Sequence, residues 1–234
     1  KLNKTIAGID EALLKFDKNY APKILTNDSL SINRQRNRLQ HKHWYHMFHW
    51  FYTSENHLVV CGKNATQNEV LVKKYMDTQD LYFHTDVPGC GSTVLKNPTK
   101  DTITPIELEE VAAFVVCHSA SWKHNQSNRA YWVYPSQVSK TPDTGQYVTK
   151  GSFIIRGKRN FLSPSRLELG IAVQQNELIV APYKRVVKYQ PPYVKIKPAS
   201  GKRNKSIDEI MKKLNIDSRD KQIVDATILY GFKL

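Results

Sequence analysis

WYHMFHWFYTSENHLVV, residues 44–60, is the stretch on which the fold turns. Aromatic and β-branched residues fill both halves, a composition that suits a pleated surface, and the polar break at Ser54, Glu55 and Asn56 predicts a β-hairpin over Trp44 to Val60. Directly after it, Thr66 and Glu69 stand at the spacing in which two side chains satisfy each other's free backbone amides. A helix carrying Val70, Val72 and Tyr75 is therefore expected. A hairpin leading into a helix begins an α+β pattern.

Farther along, Leu81–Val87 and Ser92–Leu95 read as short strands around Pro88, Gly89 and Gly91. The clearest helix follows. Thr104 caps it, Pro105 occupies its first turn, Glu107 completes a capping box, and Leu108, Val111, Ala112 and Val115 share the face that should meet the core. Ala130–Tyr134, Ser152–Arg156 and Leu178–Val180 are further strand candidates. At the start of the chain, Leu2, Ile6, Ile9, Leu13 and Phe16 make a helical stripe that either packs on the domain or is the stub of a coiled coil; Asn27–Gln40 reads as a basic linker. At the other end, Pro191, Pro192 and Pro198–Gly201 read as a connector, Ser206 and Glu209 repeat the capping spacing, and Ile223–Tyr230 reads as a final helix. The expected fold is α+β, with a mixed or antiparallel sheet, packed helices, an N-terminal helix and a small C-terminal helical tail. Residues 41–190 form the domain, 1–40 the helix and linker, and 191–234 the Pro/Lys-rich connector and tail.

Across 234 residues the net charge is +14, and the excess falls at the two ends: residues 41–135 carry 8 basic and 9 acidic groups, whereas 136–190 carry 9 and 3. That asymmetry favours an anionic partner, most simply nucleic acid, over charge kept for solubility alone. Cys61, Cys90 and Cys117 include no CxxC pair, which suggests neither a disulfide framework nor a structural zinc, and fits a reducing compartment. The longest apolar run, Val111–Cys117, is far too short for a transmembrane segment, and no signal peptide opens the sequence. A cytoplasmic protein is expected.

Three long motifs resemble the RNA-binding domain of the NFACT family: HWFYTSENHLVVCGKNATQNE (His49–Glu69), DLYFHTDVPGCGSTVLKNP (Asp80–Pro98) and QVSKTPDTGQYVTKGSFIIRGKRNFL (Gln137–Leu162). The resemblance spans about Trp44 to Val180. It implies an NFACT-R-like RNA-binding domain in 41–190, with rRNA or tRNA, the large ribosomal subunit and other ribosome-associated quality-control factors as partners. Full-length relatives engage large subunits holding peptidyl-tRNA and support template-free tailing. Their N-terminal domain is not expected in this chain and their long coiled-coil arm is expected to be reduced to at most Leu2–Gln40, so tailing by it alone is not expected. It also departs from the family pattern, with Gly62-Lys63-Asn64 where Gly-Arg-Asp is usual, which loses a planar guanidinium and a carboxylate.

Several residues can carry RNA chemistry. Arg156, Lys158 and Arg159 flank Gly157 at a strand end, so the backbone can turn close to a phosphate that three cations reach; the alternative is a solvated charge run. Ser139 and Lys140 precede a turn and either hold phosphate oxygens or simply make that turn. Lys63, Asn64, Gln67 and Asn68 cluster where the hairpin meets the helix, as an anion site, unless Asn64 and Thr66 merely cap that helix. His84 and Asp86 alternate on a strand and are expected to contact RNA; a carboxylate-oriented imidazole would suggest a hydrolase, yet no nucleophile, metal or cofactor motif accompanies them, and a structural hydrogen bond is the plainer alternative. No catalytic residues, cofactor or metal are expected. His41, His43, His46 and His49 read as packing or solvated residues rather than ligands. Of Trp44, Trp50, Trp122 and Trp132, most should be core, with exposed rings free to stack on bases. Competing classes are an adaptor that binds DNA or a membrane surface, and the His84/Asp86 hydrolase.

Overall fold

The computed structural model describes residues 38–40, 43–141, 147–163, 166–189, 191–199, 203–228 and 231–234. Arg36–Leu234 is one compact unit. The expected helix over Leu2–Lys18 and nearly all of the basic linker lie outside the described residues.

Strands β1 (His49–Tyr52) and β2 (Leu58–Cys61) form the hairpin, with Trp50 opposite Val60 and the Thr53 amide donating to the His57 carbonyl at 2.9 Å to close its turn. Upstream, Trp44–Met47 is a 3₁₀ turn and not strand. Its aromatic rings find partners without a ladder: Trp44 stacks on Tyr75 at 4.0 Å, and His46 stacks on Trp50 at 5.1 Å. Helix α1 (Ala65–Val70) begins one residue before the expected cap. Asn64 caps it, its Oδ1 accepting from the Gln67 amide at 2.9 Å, which leaves Thr66 inside the first turn. Asn is among the strongest N-caps, and here it sits earlier in the chain than Thr66. A π-helical turn, Leu71–Tyr75, continues α1.

Strands β3 (Leu81–His84), β4 (Thr93–Leu95) and β5 (Tyr131–Val133) extend the hairpin. Between them lie α2 (Pro105–Cys117) and the short α3 (Ala120–His124). The capping box of α2 forms as read, with Thr104 and Glu107 bonded both ways. Next, β6 (Val138–Ser139) and β7 (Ile154–Ile155) make a small ribbon, and β8 (Asn160–Phe161) adds an edge. The resulting sheet runs β1-β2-β4-β3-β5-β8 with every neighbouring pair antiparallel.

A second antiparallel sheet follows: β9 (Leu169–Gln174), β10 (Glu177–Pro182), then α4 (Tyr183–Val186), β11 (Tyr193–Pro198) and β12 (Phe232–Lys233), ordered β10-β9-β11-β12. Part of the expected connector is therefore strand. In β11, Val194, Ile196 and Pro198 are buried in alternation, and Ile196 pairs with Leu169. The tail is helical as expected, in α5 (Arg203–Lys213) and α6 (Lys221–Thr227). Ser206 and Glu209 fall within α5 and not at its cap. Ile207, Ile210, Leu214, Val224 and Phe232 join the same buried cluster as the first sheet. Helix α2 touches both β3 and β10, so its apolar residues Val111, Phe114 and Val115 serve the core between the two sheets.

Candidate nucleic-acid interface

Between β7 and β8 the chain reverses through Gly157 at φ 76°, a left-handed conformation that costs glycine little. Gln137 splints this loop: its Nε2 donates to the carbonyls of Arg156 at 2.8 Å and Lys158 at 2.9 Å, while its Oε1 accepts the Tyr134 amide at 3.0 Å. Arg156 and Lys158 stay exposed. The Arg156 guanidinium also donates to the Thr141 carbonyl at 3.1 Å. Arg159 is held apart from them, 2.7 Å from the Asp86 carboxylate and with its guanidinium 4.8 Å from the centre of the Tyr131 ring.

Lys140 is a clip. It ion-pairs with Glu69 and donates to the carbonyls of Thr149 and Ser152, both at 2.8 Å, which fastens the segment before β7 to α1. Lys140, then Lys73 and the Gly151 amide, hold the Glu69 carboxyl down to about 2. The Ser139 hydroxyl accepts the Thr141 amide at 3.1 Å, making the turn.

The fastened segment walls a cavity of about 560 Å³ at the ends of β1, β2 and β3. Lys63, Asn64, Asn68, His84 and Asp86 all line it, so the structure brings together five of the residues singled out in the sequence. Close strand approach shapes its floor. The Gly62 amide donates to the Ser92 carbonyl at 3.0 Å, and a Cβ on Gly91 would sit 2.1 Å from the Gly62 oxygen. Two of the expected anion donors are committed elsewhere. Gln67 accepts from the Lys63 amide at 3.0 Å and donates to the Met47 carbonyl at 3.0 Å. Asn68 accepts from the Ser92 amide at 3.1 Å and donates to the Gly151 carbonyl at 3.3 Å. The carboxylate–imidazole pair considered for a hydrolase does not form, because Arg159 engages Asp86 and the His84 Nδ1 has no partner.

Sequence reading missed His118 and read His49 as packed or solvated; the structure buries it. Both line the cavity, with ring centroids 4.4 Å apart. The His118 Nδ1 lies 2.7 Å from the Phe114 carbonyl, and that carbonyl can only accept. His118 is therefore protonated at Nδ1. Burial, with the Lys63 ammonium adding to it, pushes His118 down to about 4. Burial, His118 and Lys63 hold His49 well below its usual range, and burial lowers Lys63 itself. Only long-range packing could have revealed this cluster, since its rings come from β1 and from the C-terminal end of α2.

Trp50 and Trp122 are core, Trp132 is partly buried against it and Trp44 is exposed, so half of the four and not most are core; Tyr134, Tyr147 and Phe161 are exposed rings that no periodicity marked. His41 lies outside the described residues. Among the described residues no group of three or more His, Cys, Asp or Glu is placed to hold a metal, and no helix is long and apolar enough to cross a membrane.

Residues 47–157 match the family model described as the NFACT protein RNA binding domain. The chain carries an NFACT RNA-binding domain. Among its relatives, the ribosome quality control complex subunit NEMF of Homo sapiens is 38% identical over 172 residues, 74% of this chain and 16% of its own length. The NEMF homolog of Drosophila melanogaster is 42% identical over 130 residues, 56% of this chain and 13% of its own length. The archaeal Rqc2 homolog aRqcH of Methanocaldococcus jannaschii is 36% identical over 201 residues, 82% of this chain and 30% of its own length. The chain thus spans less than a third of each. The NFACT match takes in the cavity residues from His49 to Phe153 and reaches Arg156 and Gly157; the second sheet lies beyond it.

Proposed function

We propose that this chain binds rRNA or tRNA at the large ribosomal subunit and acts in cytoplasmic ribosome-associated quality control, beside other factors of that process. The observation that carries the reading is a cationic face built within and just past the NFACT domain. Arg156 and Lys158 project from the splinted Gly157 loop, and the Arg159–Asp86 pair joins that loop to a cavity holding Lys63 and Lys150. Such cations hold phosphates without reading bases, so affinity would come from charge and specificity from the shape of the ribosomal site. Lys140 supports this face by fastening the cavity wall.

Sedimentation with purified large subunits, with and without retained peptidyl-tRNA, tests the reading. Co-sedimentation that weakens with salt and is lost when Arg156, Lys158 and Arg159 are all replaced by alanine is the expected result. Absence of binding to either subunit form, or equal binding of duplex DNA at matched salt, would refute it.

A further inference from the structure

Three imidazole nitrogens at the cavity, His49 Nδ1, His84 Nδ1 and His118 Nε2, are buried and have no hydrogen-bond partner among the described residues. His49 is 7% exposed and His118 5%, and buried polar atoms are so regularly paired that two neighbouring rings without a protein partner leave room for a bound group at these nitrogens. The surrounding charge says which kind. Facing the cavity are His49 from β1, Lys63 from beyond β2, Tyr82, His84 and Asp86 from β3 and its extension, Cys90 from the following loop, His118 from the end of α2, and Lys150. Burial raises the Cys90 thiol and the Tyr82 phenol, which keeps both neutral. Asp86, the one carboxylate among these groups, is exposed and committed to Arg159. A neutral occupant would leave the half-buried Lys63 ammonium uncompensated; an oxyanion compensates it.

We propose that this cavity seats a phosphodiester group of RNA between the Lys63 ammonium and the rings of His49 and His118, which take up protons as the anion binds. The inference rests on the RNA-binding reading and gives it a specific site. The His118 geometry suits the role: with Nδ1–H already directed at the Phe114 carbonyl, a proton gained at Nε2 makes a second donor on the unpartnered side of the ring. Without the anion, burial and Lys63 keep both rings neutral. Bound phosphate favours their charged forms, so affinity rises as pH falls, by about tenfold per pH unit for each proton taken up.

The test uses the full chain and hydroxyl-terminated oligouridine, whose bases and phosphodiesters hold constant charge between about pH 6 and about pH 8. Binding is measured at fixed salt across that range, while histidine NMR resonances report protonation directly. The expected results are affinity that climbs toward low pH, His49 and His118 resonances that move to the protonated form on adding oligouridine, and a flatter pH profile in H118Q. The resonances of the unaltered chain decide the matter should that variant misfold. Oligouridine binding that is flat with pH, or that leaves both resonances unmoved, overturns the cavity assignment; intact co-sedimentation with large subunits would then show that the RNA reading survives it. If inorganic sulfate protonates the rings and oligouridine does not, the cavity is a small-anion site and the proposal fails. Lost co-sedimentation is failure of the broader reading.

Discussion

Replacing Glu107 with alanine should unlatch α2 from the hairpin. The Glu107 carboxylate is fully buried and accepts from the Thr53 hydroxyl at 2.7 Å, the Thr104 amide at 2.9 Å and the Thr104 hydroxyl at 3.1 Å, and it lies 2.6 Å from the His57 Nδ1. Alanine strands a buried hydroxyl and a buried imidazole, each costing about 1–3 kcal/mol, and removes half of a capping box worth about 1 kcal/mol. The expected loss is about 3–7 kcal/mol, a large share of the roughly 5–15 kcal/mol that holds a domain folded. For a unit of this size, that lowers Tm by about 10 °C, read by circular dichroism and checked by urea unfolding. Glu107→Gln keeps shape and one acceptor and should lose less. The effect also depends on pH. Burial alone would raise the Glu107 carboxyl, but Thr104, Thr53 and His57 outweigh it and hold it below its usual 4.5. A folded pKa below the unfolded one gives stability that is present above about 4.5 and lost as pH falls through the folded value, so the gap between the parent and Glu107→Gln closes in acid. A loss under about 1 kcal/mol for the alanine variant at neutral pH would refute the latch.

Gly91→Ala drives a methyl to 2.1 Å from the Gly62 carbonyl, and should destabilise the fold by at least about 2 kcal/mol in urea unfolding. Lys158→Ala, which removes an exposed cation without touching the Gln137 splint, should lower the slope of log affinity against log salt by about 0.7 on single-stranded RNA; an unchanged slope would remove Lys158 from the interface. Tyr134, 55% exposed and next to the splint, offers a ring for a base, so Tyr134→Ala should weaken oligouridine binding by about 1 kcal/mol or more while Tyr134→Phe leaves it intact.

Local signals were the legible ones. The hairpin and α2 followed from composition, a polar break and a capping box, all of which act within a few residues. By contrast, β11 is bracketed by Pro192 and Pro198, whose strong turn tendency hid the alternation of Val194 and Ile196. Basic and amide residues were found, but not their duties. Gln67, Asn68 and Lys140 look like RNA ligands in sequence, whereas their partners, the backbone of Met47, Gly151, Ser92, Thr149 and Ser152, are brought in by the fold. His118 carried no signal at all, because a lone histidine ending an apolar helix gains meaning only when His49 arrives across the core.

Synthesis order bears on the second sheet. On emerging from the ribosome, β9 and β10 can zip at once through their short turn, but the other edge of β9 waits for β11, and β11 in turn waits for Phe232. During that interval a nascent chain displays an open, apolar strand edge, the feature most prone to pair with a neighbouring chain. A pause in translation between Pro182 and Tyr193 would prolong that exposure.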